Sequence, residues 1–282
     1  MARNASQSPE HSRVKPADYP ETDAFPERCM LELERLSKSF GGLKAISDLS
    51  FRVEQKSISA VIGPNGAGKT TLFNLISRLM EPDSGRVFFN SRRIDSLKPH
   101  IIPSLGIART FQNLKVFSNM NVLENVMTGR YCRSSAGFFN CALHMRKFRR
   151  EEKQIKEKAF YWLRFMKLED LWNKNLNELP FEKQRMVEIT RALASEPQLV
   201  LLDEPAAGLN VTETQNLADL IYRLQELGIT LLIVEHDIDL IMEISDKIMV
   251  LNFGKKIAEG SAGEIREDRK VISVYLGEEF SR

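Results

Sequence analysis

Residues Gly63-Pro64-Asn65-Gly66-Ala67-Gly68-Lys69-Thr70 fit the pattern G-x-x-x-x-G-K-[ST] without substitution, and their flanks leave little choice of fold. The apolar run Ile58 to Ile62 precedes the loop, and the amphipathic stretch opened by Thr70 and Thr71 follows it to Ile76. A strand that passes through a glycine-rich loop into a helix is the setting that phosphate binding requires. Without a Cβ, the glycines let backbone N–H groups turn inward around phosphate oxygens, and the helix start adds partial positive charge. A purely structural turn would explain the glycines but not a Lys-Thr pair at the mouth of a helix. Residues Gly63 to Thr71 are therefore expected to hold a nucleoside triphosphate. Lys69 should reach the β- and γ-phosphates, and the Thr70 hydroxyl should bind Mg²⁺.

Leu199-Val200-Leu201-Leu202-Asp203-Glu204 is four aliphatic residues ending in adjacent carboxylates. It reads as a buried parallel strand whose C-terminal end faces a ligand crevice, as in open α/β sheets. Two neighbouring anions beneath a triphosphate are costly unless a metal offsets them. Asp203 is expected to hold the Mg²⁺ shell, and Glu204 to orient or deprotonate an attacking water. Beside a phosphate loop, this reading outweighs a solvated turn at a strand end. His236 closes a third apolar run, Leu231 to Glu235. That strand should lie beside the one bearing Glu204, which makes a γ-phosphate contact the expectation for His236.

The order of further segments carries a resemblance. After the phosphate loop come Gln112 in Arg109-Thr110-Phe111-Gln112-Asn113, a Leu-x-x-x-x-Gln-Arg segment at Leu179 to Arg185, Asp203-Glu204, Ala207-Gly208-Leu209-Asn210 and His236. This order resembles the ATP-binding-cassette ATPases. Asn121 to Met127, Leu202 to Asn210 and Val250 to Gly260 are similar to the LivG-type ATP-binding subunits of branched-chain amino acid importers. The resemblance spans roughly residues 30 to 279. It implies an α/β fold: a P-loop NTPase cassette with a RecA-like parallel-sheet core, an antiparallel β subdomain and a helical subdomain. It also implies ATP and Mg²⁺ as ligands, with Gln112 as a metal-contacting, catalytic hinge residue and Phe40 stacking on adenine. Aromatic stacking accepts any base with a π-face, so Phe40 would supply affinity more than specificity; a Phe that merely plugs a subdomain seam is the plainer alternative.

Composition fits this class. The chain has 282 residues and is 43% hydrophobic, enough for one large α/β domain. Its formal charge of +2 gives no argument for a nucleic-acid partner. Cys29, Cys132 and Cys141 show no metal or redox spacing, which suits a reducing cytosol. No apolar run approaches the roughly 18 residues needed to cross a bilayer, so another chain would have to form any pore. Residues 1 to 28 are rich in Pro, Ser, Glu and Asp, and are expected to be a flexible extension rather than a signal peptide. A cassette over 29–279 follows. Leu31 to Leu36 and Ala45 to Val53 read as strands of the antiparallel β subdomain, and about 113–190 as the helical subdomain. In that subdomain Ile155, Ala159, Trp162, Leu163 and Met166 form one apolar stripe. The basic, aromatic stretch Arg130 to Arg150, with Tyr131, Phe138, Phe139 and Phe148, suits either a solvated face or an interface with headgroups or a membrane subunit.

One segment departs from the family. Where Leu-Ser-Gly-Gly-Gln is usual, this chain has Leu179-Pro180-Phe181-Glu182-Lys183. In the family this segment crosses a dimer interface and grips the γ-phosphate on the partner's loop. A carboxylate within ~4 Å of a phosphate charge costs on the order of 4 kcal/mol at an effective dielectric near 20. Either Glu182 turns outward, favoured in a helix's first turn, or Lys183 and Arg185 compensate. The departure favours a heterodimer, in which this chain's own loop, Asp203, Glu204 and His236 meet an intact signature on a second cassette.

Three function classes follow. The first is the ATP-binding subunit of an importer at the cytoplasmic face of a bacterial inner membrane, working with permease subunits and, indirectly, a substrate-binding protein. Its substrate would be branched-chain amino acids by resemblance, with urea, amides or another small solute as alternatives. The second is a soluble cassette ATPase, for which the expected coiled-coil insertions or second phosphate loop are missing. The third is a module that clamps ATP without turning it over, against which Glu204 and His236 argue.

Overall fold

A computed structural model describes residues 28–110, 117, 119–133 and 145–279. Three apolar runs build its centre. Every residue of β3 (Ile58–Ile62), β7 (Leu199–Asp203) and β8 (Thr230–Val234) is buried. Such continuous burial is what a parallel sheet covered on both faces produces. With β6 (Ile107–Arg109), β9 (Lys247–Asn252) and β10 (Lys255–Gly260) they form one sheet in the order β10-β9-β3-β8-β7-β6. All its neighbours pair in parallel except β10, which returns antiparallel on β9. Alternate residues feed two cores. Ile58, Ala60, Val200, Leu202, Leu231 and Ile233 face one, while Val61, Leu199, Leu201, Leu232 and Val234 face the other.

The second core is closed by α1 (Lys69–Ile76) and by an antiparallel sheet. That sheet joins β1 (Cys29–Phe40), β2 (Leu43–Glu54), β4 (Ser84–Phe89) and β5 (Arg92–Arg93) in the order β2-β1-β4-β5. The two strands expected near residues 31–36 and 45–53 are thus longer than their alternation suggested, and pair with each other. Arg28 already joins them, its carbonyl accepting from Gln55 N–H.

A short helix α2 (Ile102–Leu105) leads into β6. Beyond it, α3 (Val122–Arg130), α4 (Met145–Phe165) and α5 (Phe181–Ala194) pack together as the helical subdomain. Ile155, Ala159, Trp162 and Leu163 are buried as their spacing predicts, with Met166 packed beside them. Helices α3 and α5 touch closely: a Cβ on Gly129 would lie 1.9 Å from the Arg191 carbonyl oxygen. Asn125, fully buried, anchors the start of α3. Its Oδ1 accepts from Phe117 N–H, and its Nδ2 donates to carbonyls of the Phe117–Asn121 segment. Then α6 (Val211–Glu226), α7 (Ile238–Ile244), α8 (Ala262–Glu267) and α9 (Arg269–Glu279) complete the chain. Helices α3, α6 and α8 each start with a capping box, Asn121/Glu124, Asn210/Glu213 and Ser261/Glu264, satisfying two otherwise orphaned amides apiece. Among the described residues no helix is long and apolar enough to cross a membrane.

Candidate functional site

The phosphate loop lies between β3 and α1, at the C-terminal edge of the parallel sheet. Its glycines are fixed by geometry. Gly63 has φ 149°, and a Cβ there would lie 2.1 Å from the Leu251 carbonyl oxygen. Gly68 has φ 109°, with the Ala45 oxygen 2.4 Å from such a Cβ. The buried Lys69 ammonium donates to the carbonyls of Gly63 and Pro64, at 2.6 and 3.0 Å, and is thereby held across the loop. One pocket of about 370 Å³ is lined by Asn65, Gly66, Ala67, Gly68, Lys69, Thr70 and Thr71 together with Phe40, Glu204 and His236. Residues scattered over most of the chain meet there because β7 and β8 are adjacent, with Asp203 beside Val234. Gly63, Pro64 and Asp203 do not line the pocket: the first two offer their carbonyls to Lys69, and Asp203 is buried. Gln112 lies outside the described residues, as do Phe138, Phe139 and Cys141 of the expected basic, aromatic stretch, residues 1–27, and the side chain of Phe148.

Asp203 is almost wholly buried. Its Oδ2 pairs with the Arg109 guanidinium at 2.8 Å, and its backbone N–H donates to Thr110 Oγ1. Its Oδ1 is buried with no hydrogen-bond partner among the described residues. One oxygen anchored and the other left over is the donor chemistry a Mg²⁺ site needs, since the ion takes few protein carboxylates and fills its shell from phosphate and water. Among the described residues no cluster of three or more His, Cys, Asp or Glu could hold a metal by itself.

Glu204 follows in the left-handed region, φ 49°, a conformation that costs about 1–3 kcal/mol and persists where the surroundings enforce it. Its N–H donates to the Val234 carbonyl, and the Arg185 guanidinium lies 3.4 Å from its own carbonyl oxygen. The side chain turns to His236, with Oε1 3.1 Å from Nε2. Glu204 is mostly covered and His236 half-exposed, so this pair lies at the pocket wall with one member open to the crevice.

Two site residues escaped sequence reasoning, and a third, Arg185, is expected from the sequence only as a counter-charge to Glu182. Glu235, buried, accepts from Ala206 N–H at 2.6 Å through one oxygen and from His236 N–H at 2.8 Å through the other. It ties the loop after β7 to the loop after β8. Burial pushes its carboxyl above the usual range, amide donors from Ala206, His236 and Asp237 draw it back, and the nearby Glu204 charge pushes it up again. A Glu before a His gives no sign of this. Arg109 is the second. Besides Asp203 it donates to Asn74 Oδ1 and Ser77 Oγ, and its guanidinium lies 5.5 Å from the Phe73 ring centroid. Arg185 is the third, fully buried and paired with Glu188 at 3.1 Å.

The departing segment starts α5. Pro180 precedes the helix without a side-chain cap. Glu182 does not stand free in solvent: its carboxylate lies 3.3 Å from Lys183 Nζ. Phe181 lies against the Gly208 turn that follows Glu204, its ring 3.1 Å from where a Cβ on Gly208 would be. A second cleft, of about 500 Å³, separates α1 and β6 from α3 and α5, lined by Ser77, Leu79, Ile107, Phe117, Gly129 and Arg191 among others. The Arg191 guanidinium lies over the Phe117 ring, 5.8 Å from its centroid.

Comparison with known proteins decides the family. The family model described as "ABC transporter" matches residues 46–207, which include the phosphate loop, Asp203 and Glu204. The chain belongs to the ABC transporter ATP-binding cassettes. A second model, "Branched-chain amino acid ATP-binding cassette transporter", matches the tail of this cassette at residues 255–281. The cassette is 39% identical over 252 residues to the high-affinity branched-chain amino acid transport ATP-binding protein BraF of Pseudomonas aeruginosa, covering 89% of this chain and 99% of that one. It is 36% identical to the LivG protein of Escherichia coli, covering 88% and 98%. Among solved structures, the ADP conformation of an ATP-binding cassette of an ABC transporter superposes with a TM-score of 0.78 at 34% identity, covering 88% of this chain and 99% of that one.

Proposed function

We propose that this cassette binds and hydrolyses ATP to drive uptake of branched-chain amino acids through permease subunits, from the cytoplasmic face of the bacterial inner membrane. The observation that carries the reading is the single pocket in which the phosphate loop, Glu204 and His236 meet. The relatives named for branched-chain amino acid transport, matched over nearly their whole length, support the substrate class.

In this reading the loop amides of Gly66 to Thr70 and the Lys69 ammonium hold the β- and γ-phosphates. Thr70 Oγ1 and the free oxygen of Asp203 would hold Mg²⁺, with Gln112. When bound, Mg²⁺ neutralises charge on the β- and γ-phosphate oxygens. Arg109 anchors one oxygen of Asp203 and so fixes where the other points. Glu204 orients a water and accepts its proton as the water oxygen attacks the γ-phosphorus and the bond to ADP breaks. His236 contacts the γ-phosphate and holds Glu204 by their mutual hydrogen bond. Phe40 stacks on the base. The cleft at Phe117 and Arg191 accepts the permease.

The active unit we infer is a heterodimer with a second cassette. Glu182 stands in the first turn of α5, where the family presents a glycine to the partner's nucleotide. Its pairing with Lys183 is half-exposed and offsets only part of its charge. ATP hydrolysis by the chain alone, and mixed with a candidate partner cassette, tests this, each beside Glu204→Gln. Activity that needs the partner and vanishes in the variant is expected. Robust Glu204-dependent turnover by the chain alone would overturn the heterodimer, and no turnover in an assembled transporter would overturn the ATPase.

A further inference from the structure

The rim of the nucleotide pocket carries a second aromatic residue that the scheme above leaves unused. Strands β9 and β10 are joined by two residues, Phe253 and Gly254, between the paired Asn252 and Lys255. Both have positive φ, 44° and 74°, the pattern of a type I′ hairpin turn. The first central position of that turn favours Asn, Asp or Gly, because a bulky side chain at positive φ crowds its own backbone. Phe253 defies that preference, and it is 81% exposed, so it stabilises neither the turn nor a core.

The turn is nevertheless seated firmly. Gly254 N–H donates to the Ala67 carbonyl of the phosphate loop at 2.9 Å, and its own carbonyl accepts from Ser47 N–H at 2.8 Å. A Cβ on Gly254 would lie 2.6 Å from the Ala45 oxygen, so only glycine allows this approach. Phe253 is thereby held at a set position relative to the loop amides, and it lines the same pocket as Phe40 and Leu43. A phosphate chain on Gly66 to Thr70 leaves the base to the apolar end of the pocket, where these three side chains stand. Phe40 is itself 46% exposed, a ring with a face to offer.

We propose that Phe253 is a second stacking surface for the adenine of ATP, so that the base is held by an aromatic from β1 and another from the β9–β10 turn. This rests on ATP being the ligand of the phosphate loop. The strained, exposed placement of Phe253 then has a use: it presents a π-face at a distance from the phosphates set by the Gly254–Ala67 hydrogen bond.

Equilibrium binding of ATP and of inorganic tripolyphosphate to the full chain, Phe253→Ala and Phe253→Tyr tests it. Tripolyphosphate keeps the contacts to the loop and lacks a base. Phe253→Ala is expected to weaken ATP about tenfold or more while leaving tripolyphosphate unchanged, and Phe253→Tyr to restore ATP binding. Unchanged ATP affinity in Phe253→Ala would overturn the inference. So would an equal loss for both ligands, which would make Phe253 a prop for the loop. ATP affinity kept while ATP-dependent association with a partner cassette is lost would reassign the ring to a subunit face. A wild-type chain that binds tripolyphosphate and not ATP would overturn the nucleotide reading itself.

Discussion

Arg109 and Asp203, 94 positions apart, form a buried ion pair whose nitrogen and oxygen lie 2.8 Å apart. Removing one partner of such a pair leaves an uncompensated charge. Arg109→Met should destabilise the chain by about 3 kcal/mol or more, read by urea denaturation. Asp203 Oδ2 would also lose the contact that anchors it, so its other oxygen would be less firmly placed for the ion. The Mg²⁺ concentration for half-maximal ATP turnover in the assembled transporter should therefore rise.

Glu204→Gln should retain ATP binding and lose turnover by about 10² or more, the range for a positioned general base. His236→Ala should lose a similar factor. Because Nε2 of His236 touches Oε1 of Glu204, the double variant should be little slower than either single one. Single-turnover hydrolysis by the chain assembled with a partner cassette checks this, and additive losses would mean that the two act separately.

Glu235→Ala leaves the Ala206 and His236 amides without their acceptor and should cost about 2 kcal/mol or more. With the two loops no longer tied, kcat should fall while KM for ATP stays put. The folded-state carboxyl of Glu235 is raised, chiefly by burial. Its contribution to stability is therefore fully present below the ordinary glutamate value and declines as pH rises through the folded one. Denaturation at a series of pH values should show that slope in the wild type and not in Glu235→Gln.

Glu196 makes the opposite case. Burial would raise its carboxyl, but hydrogen bonds from Lys158 and Arg130 outweigh it and hold the carboxyl low. Its stabilising contribution is present above the ordinary value and disappears as pH falls through the folded one. Glu196→Gln should cost roughly 0.5–1 kcal/mol near neutrality, because the side chains are partly solvated, and nothing once the wild-type carboxyl is protonated.

Glu182→Gly should raise turnover at the composite site that this chain's α5 completes. If the proposed heterodimer is assembled with the partner's own catalytic glutamate intact and Glu204→Gln silencing the other site, a steady-state ATPase comparison isolates it. No gain would mean that Lys183 already neutralises Glu182.

What was readable in the chain is what short-range order encodes. The strand-loop-helix around Lys69, the buried runs ending at Asp203 and at Val234, and the stripe from Ile155 to Met166 are all local patterns that packing then preserved. Adjacency of Glu204 and His236 followed because parallel strands bring their C-terminal ends together. Arg109, Glu235 and Phe253 were invisible for a common reason. Each acts on residues far away in the chain or through backbone amides, and neither leaves a periodicity. The Glu182–Lys183 pairing was one of two outcomes open at the start, and only a three-dimensional helix N-terminus could choose between them.

The approach of the Leu251 carbonyl to Gly63, and the Gly254–Ala67 hydrogen bond, make the tail of the chain a back wall for the phosphate loop. Engineers who exchange modules between importers meet this as a splice rule. A hybrid taking its first half from one cassette and its last strands from another must inherit both sides of that seam together. Otherwise a well-folded chimaera would carry an intact Gly-Lys-Thr and still hold its nucleotide poorly.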